Sequence, residues 1–173
     1  LNAMAMKNKK NGFALLIAVI FMSVILALGL ALGSLGYKQQ LLASGAIASQ
    51  YAFYAADAAL ECAMYADQQQ NSFDYTLHSA NDQPAATICD NMSATRLSYS
   101  YTSGSNGFLY VSERLSLNSS TRCADITIYK YKNPQPPENI TTYIFSHGYD
   151  VSCSTVANPE ESRFVSRGIN THY

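Results

Sequence analysis

The most reactive side chains in this 173-residue chain are four cysteines, at Cys62, Cys89, Cys123 and Cys153. Successive cysteines stand 27, 34 and 30 residues apart, so none forms the closely spaced pair that zinc sites use. An even number of widely spaced cysteines is typical of disulfides in an exported domain. We therefore predict two disulfides, no metal site and no cofactor.

Four cysteines allow three disulfide pairings. The pairing that we favour joins Cys62 to Cys89, which ties the end of a predicted helix to the loop after it. It also joins Cys123 to Cys153, which closes a predicted hairpin around the proline-rich turn at residues 133–137. A cross-link that closes about 30 residues stabilises by roughly 3–4 kcal/mol in the chain-entropy model. The expected role of both disulfides is structural.

A hydrolase site is the second chemistry to consider, because His147, Asp150 and Ser152 lie close together in the sequence. Alternation along a strand places His147 and Asp150 on opposite faces. The chain also has no G-x-S-x-G motif that would position a serine nucleophile. We therefore expect that the protein is not an enzyme.

The charge distribution is uneven along the chain. Residues 1–12 contain Lys7, Lys9 and Lys10 and no acidic side chain, whereas the remainder has 8 basic and 12 acidic side chains. An acidic body has no reserve of basic surface for neutralising phosphates. Direct binding of nucleic acid is therefore not expected.

An apolar run follows the three lysines, and no charged residue lies between Lys10 and Lys38. The 23 residues from Phe13 to Leu35 would form a helix about 34 Å long. The hydrocarbon core of a bilayer is about 30 Å thick, so this helix can span it. The lysines before the run place the N-terminus in the cytoplasm by the positive-inside rule. We predict a single-pass membrane protein whose body lies outside the cytoplasm.

The helix is expected to continue well beyond the apolar run, since no proline precedes Pro84 and alanine is dense. We predict one helix over 13–68, apolar all round over 13–36 and amphipathic over 37–68. The apolar stripe of the second half is predicted to comprise Leu41, Ile47, Tyr51, Tyr54, Ala58 and Cys62. Its polar face is predicted to comprise Lys38, Gln50, Asp57, Glu61 and Asp67.

Strands are expected after the helix, because the apolar period changes to two near residue 96. Residues 69–95 show no period and are predicted to form a loop region with room for one helical turn. One strand is predicted to present Leu97, Tyr99 and Tyr101 on a single face. The next presents Leu109, Val111, Leu115 and Leu117, and we interpret Glu113, which interrupts that face, as a bulge.

Three further strands are predicted, over 123–132 with Ala124, Ile126 and Ile128 on one side, over 140–153 and over 163–171. The predicted fold class is α+β, with a long N-terminal helix packed against a small antiparallel sheet. Tyrosine recurs along these strands, at Tyr99, Tyr101, Tyr110, Tyr129, Tyr131, Tyr143 and Tyr149. We favour a structural interpretation, because tyrosine suits strands; a surface that adheres to sugars or proteins is the alternative.

The N-terminal third of the chain resembles a type IV pilin or pseudopilin precursor. The resemblance rests on a basic leader ending in Gly12, on Phe13-Ala14-Leu15-Leu16 opening the long helix, and on the stretch FYAADAALECA at 53–63. The latter two stretches are similar to minor pilins that assist fimbrial assembly. The resemblance covers residues 7–68, and the strand region is similar only in its architecture, a pilin-like head.

The resemblance implies processing and partners. A prepilin peptidase would cleave between Gly12 and Phe13 on the cytoplasmic side and methylate the new amine of Phe13. The other implied partners are inner-membrane lipid and, through the N-terminal helix, further pilin subunits. The implied segments are a leader over 1–12, a transmembrane and filament-core helix over 13–36, an amphipathic helix over 37–68 and a globular head over 69–173. The implied location is the inner membrane, then an extracellular pilus or a periplasmic pseudopilus.

Ile17 departs from the family pattern. Most pilins have a glutamate at this fifth mature position, where it is proposed to pair with the N-terminal amine of a neighbouring subunit. An amine without a carboxylate partner is costly in an apolar filament core. The departure therefore favours a minor or tip-associated pilin over a major pilin.

Three alternatives stay open. The first is a major pilin of the filament shaft, and the second is a membrane-anchored extracytoplasmic binding domain with an uncleaved signal anchor. The third is a cleaved secretory signal, because small residues near Ala31 and Gly33 have a spacing that signal peptidases accept. This last alternative is disfavoured because the apolar run continues directly into a long helix.

Overall fold

A computed structural model describes residues 9–76, 78–79, 81–104, 107–133, 139–159 and 163–173, with the backbone only for residues 9–12. Lys7 and residues 134–137 of the predicted proline-rich turn therefore lie outside the described residues. The elements in chain order are α1 (Lys9–Gln68), β1 (Ile88–Cys89), β2 (Met92–Ser93), β3 (Thr95–Thr102), β4 (Phe108–Leu117), β5 (Arg122–Lys132), β6 (Ile140–Tyr149), α2 (Cys153–Ala157) and β7 (Ser166–His172).

The fold is α+β, as predicted, with the pilin-like layout of one long helix and an antiparallel sheet. Five strands form the sheet in the order β3-β4-β5-β6-β7, so every neighbour in the sheet is also a neighbour in sequence. Strands β1 and β2 form a separate hairpin. Its two turn residues, Asp90 and Asn91, have φ of 52° and 58°, and paired positive φ values are typical of two-residue hairpin turns.

The chain divides into two units, residues 1–44 and residues 45–173. The described part of the first unit is the N-terminal portion of α1. The second unit is the head, which contains residues 45–68 of α1 together with all the strands and α2.

The head core lies between α1 and the inner face of the five-stranded sheet. The sheet side of this core is formed by Leu109, Val111, Leu115, Leu117, Ala124, Ile126, Ile128 and Ile144, all of them buried. The alternation predicted for β4 and β5 is therefore confirmed. Tyr99 and Tyr101 of β3 are partly buried against the same core, as their period predicted.

The helix side of the core differs from the prediction. The buried stripe of α1 is mostly alanine, at Ala52, Ala55, Ala56, Ala59, Leu60, Ala63 and Ala66. Tyr51 and Tyr54, which were predicted to be buried, are 49% and 64% exposed. Asp67, which was assigned to the polar face, is buried.

The close approach of helix and sheet explains why alanine is buried. The Ser146 hydroxyl on β6 donates a hydrogen bond of 2.8 Å to the backbone carbonyl of Ala56. A Cβ atom at Gly148, two residues along the same strand, would collide with the backbone of Ala52 and Ala56. The gap between the two elements admits only the smallest side chains, so the larger apolar residues of α1 point elsewhere.

Glu113 does not mark a bulge in β4, which pairs with β5 without a register shift. Its side chain is fully buried and lies 2.8 Å from the Arg96 guanidinium, and it accepts a hydrogen bond of 3.1 Å from the Thr87 N–H. The register shift lies on the opposite strand, between Arg96 and Ser98. The shift turns Arg96 inward to pair with Glu113 and leaves Leu97 48% exposed. The prediction that Leu97 shares a face with Tyr99 and Tyr101 is therefore wrong.

Two strand boundaries and the structure of the loop region also differ from the predictions. Strand β6 ends at Tyr149, and Cys153 begins the short helix α2 rather than ending the strand. Strand β7 covers Ser166–His172 rather than 163–171. Within the described residues of 69–95, the regular structure is the β1–β2 hairpin and the start of β3, with no helical turn.

Both disulfides have the pairing that we favoured. Cys62 of α1 is bonded to Cys89 of β1, with 5.8 Å between their Cα atoms. Cys123 of β5 is bonded to Cys153 of α2, with 4.7 Å between their Cα atoms. The first bond fixes the β1–β2 hairpin to the helix, and the second fixes the chain after β6 to the start of β5.

A cluster of three polar side chains connects the end of α1 to the sheet. The Lys130 ammonium lies 2.5 Å from the Asp67 carboxylate, which also accepts a hydrogen bond of 2.6 Å from the Tyr173 hydroxyl. Burial is the main reason that the pKa of the Tyr173 phenol is raised, and the hydrogen bond to Asp67 raises it further. Neutral Tyr173 is therefore favoured in the folded head.

This arrangement predicts a loss of stability at alkaline pH. An unfolded tyrosine ionises near pH 10, whereas folded Tyr173 keeps its proton to higher pH, so its contribution is complete below about pH 10 and declines above it. Urea unfolding of the protein in detergent should show a steeper decline above about pH 10 than unfolding of Tyr173→Phe. Equal slopes for the two proteins would contradict the prediction, since the other titrating groups are common to both.

Candidate functional site: an apolar helix and an aromatic sheet surface

The N-terminal portion of α1 is apolar and fully exposed. Every residue from Phe13 to Ser44 is classed as exposed, and Phe13, Phe21 and Leu30 each exceed 65%. Among the described residues, this is the one helix long and apolar enough to cross a membrane, and its best window has a mean hydropathy of 3.0. Exposed apolar surface of this extent is unfavourable in water, so the segment requires an apolar environment.

The polar side chains within this segment are satisfied locally. The hydroxyls of Ser23 and Ser34 donate hydrogen bonds of 2.8 and 2.9 Å to the carbonyls of Ile20 and Ala31, three residues earlier. The helix satisfies its backbone groups internally. The segment can therefore enter hydrocarbon without an unpaired hydroxyl.

The glycines of this helix have no packing role within the described chain. A Cβ at Gly29, Gly33 or Gly36 would meet no atom within 4 Å. Small residues at such positions allow a second helix to approach closely in lipid.

The predicted processing site lies at the start of α1. The backbone is helical from Lys9 through Gly12 and Phe13. Phe13 and Ile17 are separated by four residues and so share a helix face, with exposures of 69% and 38%. The side chains of Lys9 and Lys10 lie outside the described part, as does Lys7. Cleavage and methylation at this site therefore stay a prediction.

The other sequence-predicted groups do not form a reactive centre within the described residues. All four cysteines are disulfide-bonded, and no cluster of three or more histidine, cysteine or acidic residues there could hold a metal. The Asp150 carboxylate accepts a hydrogen bond of 2.8 Å from the Val165 N–H. The Ser152 hydroxyl lies 2.8 Å from that of Ser154. Neither of these hydrogen bonds of Asp150 and Ser152 involves His147.

A second surface lies on the outer face of the five-stranded sheet and includes four of the tyrosines for which adhesion was the alternative interpretation. We name it the aromatic surface and define it as Phe108, Tyr110, Tyr129, Tyr131, Tyr143, Phe145 and His172. The abundance of tyrosine was visible in the sequence, but which rings meet depends on the pairing register. Alternation within β5 and β6 was the signal that could have placed four of these rings on one face.

Comparisons with known proteins give no match. A scan against protein-family models, a search of curated proteins and a search of solved structures each find nothing that matches this chain. The function is therefore argued from the residues and contacts of the chain itself.

Proposed function

We propose that this chain is a minor type IV pilin-like structural subunit, inserted in the inner membrane and assembled into a pilus or pseudopilus through α1. The observation that carries the proposal is the exposed, charge-free run from Phe13 to Leu35, which is continuous with the helix that forms part of the head core. Such a helix is stable in lipid and is equally stable among similar helices, because both surroundings are apolar. A subunit built in this way can leave a bilayer for a filament without refolding its helix.

The minor role is supported by Ile17. A shaft repeats one subunit many times, so an unpaired N-terminal amine would be repeated in every copy. A subunit present once or a few times, at a tip or in an initiating complex, tolerates this cost more easily. We propose a role in priming or capping assembly, with other pilin subunits and a prepilin peptidase as partners.

The processing step gives the sharpest test. Mass spectrometry of the native membrane or sheared-filament fraction should find an N-terminus at Phe13 that carries one added methyl group. Gly12→Val should keep the leader with Lys7, Lys9 and Lys10, whereas Gly33→Ala, a matched change inside the helix, should be processed normally. An unprocessed leader in the native protein would overturn the proposal.

The abundance of the subunit separates a minor from a major pilin. Quantitative mass spectrometry of sheared filaments should find this chain at a small fraction of the main subunit. A stoichiometry equal to that of the shaft subunit would make the major-pilin alternative correct.

A second candidate function is a membrane-anchored extracytoplasmic binding domain with an uncleaved anchor. The aromatic surface favours this candidate, because a purely structural head has no need of exposed stacked rings. The same mass-spectrometric experiment distinguishes it, since an anchor retains its leader.

A further inference from the structure

The aromatic surface is ordered by the register of four neighbouring strands. Tyr110, Tyr129, Tyr143 and His172 are direct partners across β4, β5, β6 and β7 and form one row. Phe108 and Tyr131 are paired in the next row of the same face. The rings therefore lie side by side across most of the sheet rather than scattered along it.

The rings hold one another in place. The Tyr129 and Tyr131 ring centroids are 4.2 Å apart, and Phe108 stacks parallel on Tyr129 at 5.7 Å. Tyr143 stacks on His172, also at 5.7 Å. The surface is still accessible, because Tyr131 and Phe145 are each 44% exposed. Rings fixed in this way lose little side-chain entropy when a ligand binds.

A cleft of about 780 Å³ lies over these rings. It is lined by Tyr129, Tyr131, Lys132, Asn133, Thr141, Tyr143 and Phe145. Its volume lies within the range of roughly 300–1,000 Å³ that is typical of small-molecule sites. Phenol hydroxyls and the Thr141 hydroxyl place hydrogen-bonding groups among its apolar ring faces.

We propose that this cleft binds a neutral oligosaccharide. A pyranose ring has apolar C–H faces and a rim of hydroxyl groups, and both features have counterparts in the cleft. The C–H faces can stack on Tyr131, Tyr143 and Phe145, and the hydroxyls can exchange hydrogen bonds with the phenols and Thr141.

The charge of the head favours a neutral ligand over a polyanion. Residues 45–173 contain 12 acidic and 7 basic side chains, and among the described residues that line the cleft Lys132 is the charged one. The hydrogen bond with Tyr129 raises the pKa of the Tyr131 phenol, which therefore stays neutral at physiological pH. Single-stranded nucleic acid binds aromatic surfaces that combine stacking with a positively charged groove. The excess of acidic side chains in the head opposes such binding.

Two protein occupants fit the geometry less well. In a two-fold dimer, the clefts of the two copies would face each other, and the space between them would stay empty. An extended peptide that joins a sheet does so at an edge strand, whereas this cleft lies over β5 and β6 in the interior of the sheet.

The test is a titration of the full-length protein in lipid nanodiscs with cellohexaose, maltohexaose and N-acetylchitohexaose. Isothermal calorimetry gives the affinity, and tyrosine fluorescence gives a second readout because the chain has 13 tyrosines and no tryptophan. At least one of the three probes should bind, and Tyr131→Ala with Tyr143→Ala should weaken its binding about tenfold or more. Tyr65→Ala is the matched control, since this exposed tyrosine on α1 does not line the cleft, and its affinity should stay within about twofold of the wild type.

Several results would overturn the proposal. They are no binding of any of the three probes at millimolar concentration, unchanged binding by the double variant, or tighter binding of a heparin oligosaccharide or oligothymidine than of the neutral probes. Circular dichroism checks the fold of each variant. If the double alanine variant does not fold, Tyr131→Phe with Tyr143→Phe keeps the rings but removes two hydroxyls, and it should still weaken binding measurably. Unchanged binding by this variant would then count against the proposal.

Discussion

Replacing Gly148 by alanine is expected to lower the free energy of unfolding of the head by about 3 kcal/mol or more, at the high end of overpacking effects. The added methyl group would collide with the backbone of Ala52, Ala55 and Ala56 on α1. Backbone atoms cannot rotate away, so the helix would have to move off the sheet. That movement would also stretch the 2.8 Å hydrogen bond from Ser146 to the Ala56 carbonyl.

The measurement is urea unfolding of the full-length protein in detergent, followed by the near-ultraviolet circular dichroism of its tyrosines. Gly168→Ala is the matched control, because the three atoms nearest to its methyl group would all belong to the exposed ring of His147 on the neighbouring strand. That ring can swing aside, so the control should lose less than about 1 kcal/mol. Equal losses for the two variants would contradict the close approach of helix and sheet.

Replacing Glu113 by alanine is expected to lower the free energy of unfolding by about 3 kcal/mol. The change removes the carboxylate that pairs with Arg96 at 2.8 Å and accepts from the Thr87 N–H. It leaves a guanidinium, whose side chain is only 20% exposed, without its counter-charge on the core side of the sheet. A buried charge without a partner costs more than the net contribution of the intact pair.

A double variant without either charge separates the cost of the unpaired charge from simple loss of packing. Arg96→Met combined with Glu113→Leu replaces both charges by apolar groups and should recover much of the stability lost in Glu113→Ala. The comparison pair is Arg114 and Asp125 on the outer face, where both side chains are 20% exposed. Asp125→Ala should lose less than Glu113→Ala, because the Asp125 side chain is 20% exposed whereas that of Glu113 is fully buried. A loss for Glu113→Ala no larger than for Asp125→Ala would contradict the assignment.

Gly148→Ala and Glu113→Ala each change a residue whose contacts could not be predicted from sequence patterns. The apolar period of α1 favoured a stripe that includes Ile47, Tyr51 and Tyr54, whose side chains are larger than alanine. The structure buries the alanines because Gly148 and Ser146 bring β6 against the helix. The hydrophobicity of α1 gives no information on the distance between α1 and β6, because that distance depends on both elements.

Glu113 illustrates the same limit in a strand. A carboxylate on an otherwise apolar face suggested a local irregularity in β4. The irregularity lies instead on the opposite strand, where the shift after Arg96 supplies the counter-charge. A partner 17 residues earlier cannot be identified from alternation, because alternation within one strand contains no information on pairing register.

The sequence by itself determined the charge-free run from Phe13 to Leu35, the strands of the sheet and the number of disulfides. Each follows from local composition and period, because an uncharged helix and a half-buried strand are recognisable one segment at a time. The tertiary structure alone decided which face of α1 is buried, where Glu113 finds its partner, and that tyrosines from separate strands meet in one surface. Those outcomes depend on distances and registers between segments, and packing of the whole head fixes them.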